Sequence, residues 1–404
     1  MSTSLLYHGF GLSGYNYVHQ RFERGEIIFR VRPKGKLYQC PVCKSTHIVR
    51  RGTCIRKLRS IPIGLKPVWI EVEIPRVYCA KCNCVRQINI NISRPRKSYT
   101  RAFEHYVIKL SRVMTIQDIA KLLKISWDCV KDIIKNRLIR RFSRPSLRNV
   151  KYIGIDEVSV KKGHKYLTVV MDIENGNVIY VGNGKGSDAL EPFWKRIKQS
   201  KCKLLGVSTD LGPAYISAVI DNLPGVPLIF DHFHVVKLMN DIVTEIRRDL
   251  YHELKGLMEK SVLKGTRWIL LKNPDNLSRK HNEKERLDKA LKLNEPLAKA
   301  YYMKEELRQF WMQVSREDAE RLIESWTQQA WSSGIGKLQK MGNTIAAHRY
   351  GILNWYDHKI SSGRVEGTNN KIKVLKRMSY GYRDMEFFKL RIMAIHESKY
   401  ALVG

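Results

Sequence analysis

No run of apolar residues in this 404-residue chain approaches the roughly 20 that a membrane span requires, and Met1 to Leu6 carries no basic leader ahead of an apolar core. A spanning or exported protein is thereby set aside, and a cytoplasmic protein of bacterial type is expected. Acidic residues are the second scarcity: 38 Asp and Glu stand against 73 Lys and Arg, a formal charge of +35. Solubility needs far less, so the imbalance points to a polyanion, DNA in the simplest case, although a ribosomal or RNA-binding protein would carry the same excess. Cysteine is sparse as well, eight in the whole chain, which excludes a disulfide scaffold. Internal repeats and low-complexity tracts are missing as well. What remains is a length that suggests two to four domains and a hydrophobic content of 43%, enough to fold them.

The few cysteines are not scattered. Six of the eight fall between residues 40 and 84, and four of them form Cys40-Pro41-Val42-Cys43 and Cys79-Ala80-Lys81-Cys82. Thirty-five residues separate the pairs and read mainly as strand, for example Val68 to Ile74. A tight turn brings two thiolates to one tetrahedral ion, and two such turns close a structural zinc site. Cys54 and Cys84 are substitutes or bystanders. Unpaired cysteines are the plain alternative; a redox pair is disfavoured because neither CxxC opens a helix in a βαβ context.

Beyond a basic linker, Arg94-Pro95-Arg96-Lys97, the segment Thr115-Ile116-Gln117-Asp118 reads as a helix cap followed by the apolar positions Ile119, Ala120, Leu122 and Leu123. Ile125-Ser126 marks a turn and a second cap, with Val130, Ile133 and Ile134 at helical spacing. Two short helices with a tight turn fit a helix-turn-helix whose second helix exposes Trp127, Asp128, Lys131, Asp132 and Lys135. Lys and Arg far outnumber acids between 94 and 145, which favours phosphate contact over a plain helical hairpin. The DNA-contacting set is therefore Trp127, Lys131 and Lys135, with Arg94, Arg96 and Lys97 of the linker.

Three carboxylates carry the chemistry. Tyr152-Ile153-Gly154-Ile155 is a short apolar run ending in Asp156 and Glu157, so a buried strand delivers an acid to the rim of a sheet, where the hard oxygens that Mg²⁺ prefers are placed. Leu204 to Thr209 repeats the pattern and ends in Asp210. Glu366 opens a helix whose Asn369, Asn370 and Lys373 share its polar face, while Val365, Ile372 and Leu375 fall behind. Glu157 and Asp172 compete with the first acid, Asp231 with the second, and Glu324 or Glu386 with the third.

With the Ile-Asp start, Ser208-Thr209-Asp210-Leu211-Gly212-Pro213-Ala214-Tyr215, Phe230 to Lys237 and Ser362 to Lys373, the chain resembles the DDE transposases of bacterial insertion sequences, most closely the ISL-three family. Strands at Tyr166 to Met171 and Val178 to Val181, a helix near 188 to 199 and a strand at Val226 to Phe230 then fit an RNase H-like α/β domain. The resemblance implies a multidomain protein: a zinc-ribbon-like domain over 1–92, a helix-turn-helix over 93–148, a catalytic domain over 149–239, an all-helical insertion over 240–350 holding Trp268, Trp311, Trp326 and Trp331, and a catalytic remainder over 351–404 with Glu366. It also implies two Mg²⁺ or Mn²⁺ ions on Asp156, Asp210 and Glu366, one zinc on Cys40, Cys43, Cys79 and Cys82, and supporting roles for Asp231 and His234 of Asp231-His232-Phe233-His234. The expected partners are terminal inverted repeats, target DNA at the nucleoid and further copies of the chain. Two rivals share parts of this pattern: an RNase H-like nuclease or resolvase, which cuts without joining, and a zinc-ribbon regulator, which has no use for the acids.

Overall fold

The computed structural model describes residues 5–161, 165–230, 232–254, 256–361 and 363–397, and the chain divides into two compact units. Among the described residues the first comprises 5–143 with His396 and Glu397, and the second runs from Arg144 to Ile395. Among the described residues no helix is long and apolar enough to cross a membrane.

In the first unit a short helix α1 (Leu5–Phe10) precedes strands β1 (Tyr15–Glu23), β2 (Glu26–Pro33), β3 (Ile48–Ile63), β4 (Lys66–Cys79) and β5 (Cys84–Gln87). They form one sheet in the order β1-β2-β4-β3, with β5 on β4. The β3–β4 hairpin closes with Ile63 opposite Lys66 across Gly64-Leu65, and Gly64 takes φ +58 at the first turn position, where a side chain would be strained. Val68, Ile70 and Val72 of β4 are fully buried against Val31 and Leu58. This sheet is larger than the cysteine turns alone foretold.

Three helices follow: α2 (Arg101–Leu110), α3 (Ile116–Leu123) and α4 (Trp127–Phe142). Thr100, Thr115 and Ser126 cap them by accepting from the amides of Phe103, Asp118 and Cys129. Lys124 in the left-handed conformation ends α3, and Ile119, Leu123, Val130 and Ile133 are buried, as the periodicity required. The buried Arg59 guanidinium of β3 donates to Leu123 O at 2.9 Å and fastens these helices to the sheet.

The second unit holds the sheet β10-β9-β6-β7-β8, from β6 (Tyr152–Lys161), β7 (Lys165–Asp172), β8 (Val178–Asn183), β9 (Gly206–Thr209) and β10 (Leu228–Phe230). β6, β7 and β8 are an antiparallel meander, whereas β9 and β10 run parallel to β6. Helices α5 (Glu191–Gln199) and α6 (Pro213–Asn222) connect the later strands, and Phe193, Trp194, Tyr215 and Val219 bury against Ile153, Ile155 and Val207. This mixed five-stranded sheet with helices laid on it is the RNase H-like arrangement expected.

Helices α7 (His232–Glu253), α8 (Leu257–Leu263), α9 (Arg267–Leu271), α10 (Glu283–Lys292), α11 (Glu295–Gln309), α12 (Arg316–Ser332) and α13 (Gly336–His358) share a second core. Of the four tryptophans there, Trp326 is fully buried and donates to Met303 O at 2.8 Å, and Trp311 packs on His232 and Phe310. Trp268 and Trp331 remain largely exposed. The chain ends in α14 (Gly363–Met378) and α15 (Met385–Met393).

Candidate active site

β6 does not stop at Asp156, as the sequence suggested, but continues to Lys161 by pairing with β7. The shorter partner is β9. It pairs with β6 only at Tyr152–Gly206, Ile153–Val207 and Gly154–Ser208, so continuing that register by two residues brings Asp156 alongside Asp210 just where β9 has ended. Asp156 thus reaches the rim because its neighbour is short. Asp210 sits in the following turn, its Oδ1 accepting from the Gly212 amide at 3.0 Å.

α14 lies along β6 in the same direction. Val365 occupies the space over Gly154, where a Cβ would stand 2.7 Å from Val365 Cγ2; Asn369 Nδ2 donates to Asp156 Oδ2 at 2.5 Å; and Lys376 Nζ donates to Ser159 O at 3.2 Å. From Val365 to Lys376 the helix rises about 16.5 Å and from Gly154 to Ser159 the strand rises about 16.5 Å, so the two elements keep pace. Glu366 is one turn before Asn369 and exposed, while Val365, Thr368, Ile372 and Leu375 are buried behind it. The polar-face assignment of Glu366 therefore stands, with Asn369 at the border of that face.

Burial pushes the Asp156 carboxyl above its ordinary value. The Glu157 amide, at 2.7 Å from Oδ1, the charge of His234 and the Asn369 amide oppose this, and the negative charge of Asp210 adds to it. Asp210, His234 and Asn369 consequently all act on Asp156 at one rim of the sheet. Asn369 has its amide nitrogen committed to Asp156, and among the described residues no partner reaches its buried Oδ1. Paired carboxylates with an uncommitted amide oxygen are a hard-oxygen donor set, the kind that suits a hydrated divalent cation.

The competing acids have other engagements. Asp172 is held in a turn, accepting from the amides of Glu174 and Asn175 and from the Asn175 side chain. Glu324 pairs with Arg349 at 2.6 Å, and Glu157 acts on the buried Tyr215 hydroxyl. Asp231 lies outside the described residues.

In the first unit Cys40, Cys43, Cys79 and Cys82 place their sulfurs within 4.8 Å of one another, with Cys40 to Cys82 at 4.0 Å and Cys43 to Cys79 at 3.5 Å. A tetrahedral zinc with bonds of about 2.3 Å sets its sulfurs about 3.8 Å apart, so the four fit such an ion. Each turn ends in a left-handed residue, Lys44 at φ +59 and Asn83 at φ +47. Cys43 and Val42 amides aimed at Cys40 help bring its thiol down to about 6, whereas Cys82, hydrogen-bonded to Cys43, is pushed up to about 12. Cys84 is paired with Cys79 in the strand register, and Cys54 accepts from Gln87 at 3.0 Å; neither joins the cluster. Among the described residues this is the sole group of three or more potential ligands converging so tightly, and the three acids form no second one.

Profiles of known families match each part of this arrangement. A zinc-finger profile of transposases IS204/IS1001/IS1096/IS1165 matches residues 36–82, the helix-turn-helix domain of transposase family ISL3 matches 89–138, and the ISL3 transposase domain matches 153–392, more than half of the chain. The chain belongs to the ISL3 transposase family. It is 29% identical over 367 residues to the transposase for insertion sequence element IS1001 of Bordetella parapertussis, covering 90% of each protein. It is 28% identical over 388 residues to the transposase for IS1557 of Mycobacterium tuberculosis, covering 88% of this chain and 85% of the relative. A chain of the Drosophila P element transposase strand transfer complex aligns at 8% identity and TM-score 0.41, over 76% of this chain and 93% of its own.

This ISL3 transposase is therefore a DNA transposase, a DNA-binding enzyme with a structural zinc site on four cysteines. Its second recognition-type helix exposes Trp127, Asp128 and Asp132; Lys131 and Lys135 are half-buried, with Lys131 Nζ 5.5 Å from the Trp127 ring centre. Arg96 is exposed and Lys97 half-buried. Arg94 is engaged instead with the buried Glu104, 2.8 Å away, which also accepts from Arg140. Burial alone would raise the Glu104 carboxyl, but these two guanidinium groups hold it below its usual range. The sequence reading grouped Asn369 with Glu366 and missed that Asn369 alone turns onto Asp156; the three-residue step from Glu366 was the available signal.

Proposed function

We propose that this transposase cuts and joins DNA through Asp156, Asp210 and Glu366. The observation that carries the reading is the β6–β9 register, which sets Asp156 beside Asp210 while Asn369, from the helix of Glu366, bonds to Asp156. Asp156, Asp210 and Glu366 would together hold two ions of the Mg²⁺ or Mn²⁺ class. Two such ions, when bound, activate an attacking oxygen and stabilise a leaving one. Asn369 orients Asp156, and His234 acts electrostatically in favour of the ionised carboxylate; Asp231 is assigned a supporting role from the motif. In the first reaction water attacks a phosphodiester at the element's end, leaving a 5′-phosphate and freeing the element's 3′-OH; in the second that 3′-OH attacks a phosphodiester of target DNA, and the new bond forms as the target strand's own 3′-OH departs. Because two ends must be held for joining, a homodimer or larger assembly on DNA is the working form.

Asp156→Asn, Asp210→Asn and Glu366→Gln each remove a charge at nearly constant size. Cleavage and joining should fall on the order of 10³-fold or more in each, with binding to element ends retained. Wild-type rates in any one variant would remove that acid from the site. A nuclease or resolvase is separated by supplying a pre-cleaved end with a free 3′-OH, since only a transposase joins it to target.

Recognition of the terminal inverted repeats is assigned to residues 1–148. This fragment should bind its repeat with a steep salt dependence, each neutralised phosphate adding about 0.9 to the log-log slope. Lys131→Ala should weaken end binding and flatten that slope in a gel-shift titration. Equal binding to random DNA would move recognition to the helical region.

A further inference from the structure

The exposed face of α14 continues past Glu366 as a stripe of Asn370, Lys373 and Arg377, spaced by four, three and four residues and all exposed. It covers about 16.5 Å, the axial length of about five base pairs of B-DNA. From Gly363 to Arg383 there are six Lys and Arg and one acid, Glu366 itself. Among the described residues Lys373 and Arg377 have no acidic partner. Just past the stripe stands Tyr380, 102% exposed and held at φ +49 in a turn where its amide donates to Arg377 O and Gly381 N donates to Lys376 O, both at 3.0 Å. A tyrosine is strained in the left-handed conformation, and among the described residues nothing packs on this ring to offset that. An aromatic ring projecting from a strip of unneutralised cations, which starts at a catalytic acid, has the chemistry of a nucleic-acid track: charges for phosphates and a flat face for a base.

We propose that Tyr380 stacks on an unpaired base of the DNA strand entering the active site, while Arg377 holds a phosphate of the same strand. The inference rests on the transposase reading of Glu366 given above. It extends that site to a base-contacting residue outside the carboxylate cluster and the helix-turn-helix. Tyr380 is so exposed that its replacement removes no core packing.

The test uses the full chain and a duplex bearing a single-stranded 3′ extension of about five nucleotides, with 2-aminopurine placed in turn at each position of the extension. Wild type and Tyr380→Phe should quench the fluorescence at one or two positions. Tyr380→Ala should not, and should bind about 5- to 100-fold more weakly, the range of one lost base stack. Arg377→Gln should keep the quenching but lower the salt slope by about 0.7, the value for one phosphate of a single strand. Unchanged quenching and affinity in Tyr380→Ala would overturn the proposal. So would a Tyr380→Ala variant that alters only the oligomeric state in light scattering, because the ring would then be a contact between copies. The same preparations are assayed for cleavage of element ends: a wild type that stacks the base but does not cut would refute the catalytic reading alone, and one that cuts without quenching would refute this inference alone.

Discussion

The cysteine cluster and the carboxylate rim both collect ligands from distant stretches of sequence, yet their states differ. The four sulfurs already lie within 4.8 Å of one another, two on each of two turns anchored to the same sheet, where Ile48 and Cys84 flank Cys79 in register. The acids come from one strand, one turn and one helix. Asp156 is largely buried and pushed upward by burial, Asp210 repels it, and Glu366 faces solvent. A structural site closes all its positions with soft thiolates and contributes folding energy, whereas a catalytic one keeps positions open and tolerates repulsion among hard oxygens. The contrast teaches that convergence of soft ligands marks the structural site, whereas a raised carboxyl at an open edge is what the catalytic role proposed for the acids calls for.

The comparison breaks most violently at the thiolates. Cys79→Ser, or chelation of the metal, should unfold the knuckles and cost several kcal/mol, a part of the roughly 10–16 kcal/mol with which thiolate sites hold zinc. Elemental analysis and hydrogen exchange in β3 and β4 read this directly. Purified protein without stoichiometric zinc would cancel the distinction.

A smaller and opposite effect is expected at the rim. The folded pKa of Asp156 lies above its ordinary 3.8, so the folded state binds more protons than the unfolded one from there upward. Its contribution is therefore favourable in acid and lost as pH rises, and ionised Asp156 destabilises the fold at neutral pH. Asp156→Asn should accordingly raise thermal stability at neutral pH, with the gap over wild type closing as pH falls through the acidic range. Glu366→Gln, at an exposed position, should shift stability by less than about 0.5 kcal/mol. Thermal melts across pH check both variants, and a stabilised Glu366→Gln with an unmoved Asp156→Asn would reverse the assignment of strain.

Much was legible early because it is local. The caps Thr115 and Ser126, the apolar spacing of Ile119, Val130 and Ile133, and the two CxxC turns are short-range patterns, and a helix or turn needs little beyond its own residues to declare itself. The split of α14 into a buried side with Val365 and Ile372 and a polar side with Glu366 followed from helical period alone. Other features escaped for non-local reasons. Arg94 reads as a free linker cation, but Glu104, on the first turn of α2, claims it along with Arg140 of α4. Trp268 and Trp331 share composition with the buried Trp326 and differ only in what packs around them.

Residue order by itself determined the capped helices α3 and α4, the four-thiolate set and the polar side of α14, since periodicity, turn residues and ligand type are properties of short segments. Only the tertiary structure decided that Asp156 and Asp210 share one rim, because the register Gly154–Ser208 and the early end of β9 depend on strands more than 40 residues apart in the chain. It alone turned Asn369 onto Asp156, through the close approach of α14 to Gly154. Such contacts are fixed by packing between segments distant in sequence, where no single segment carries the information.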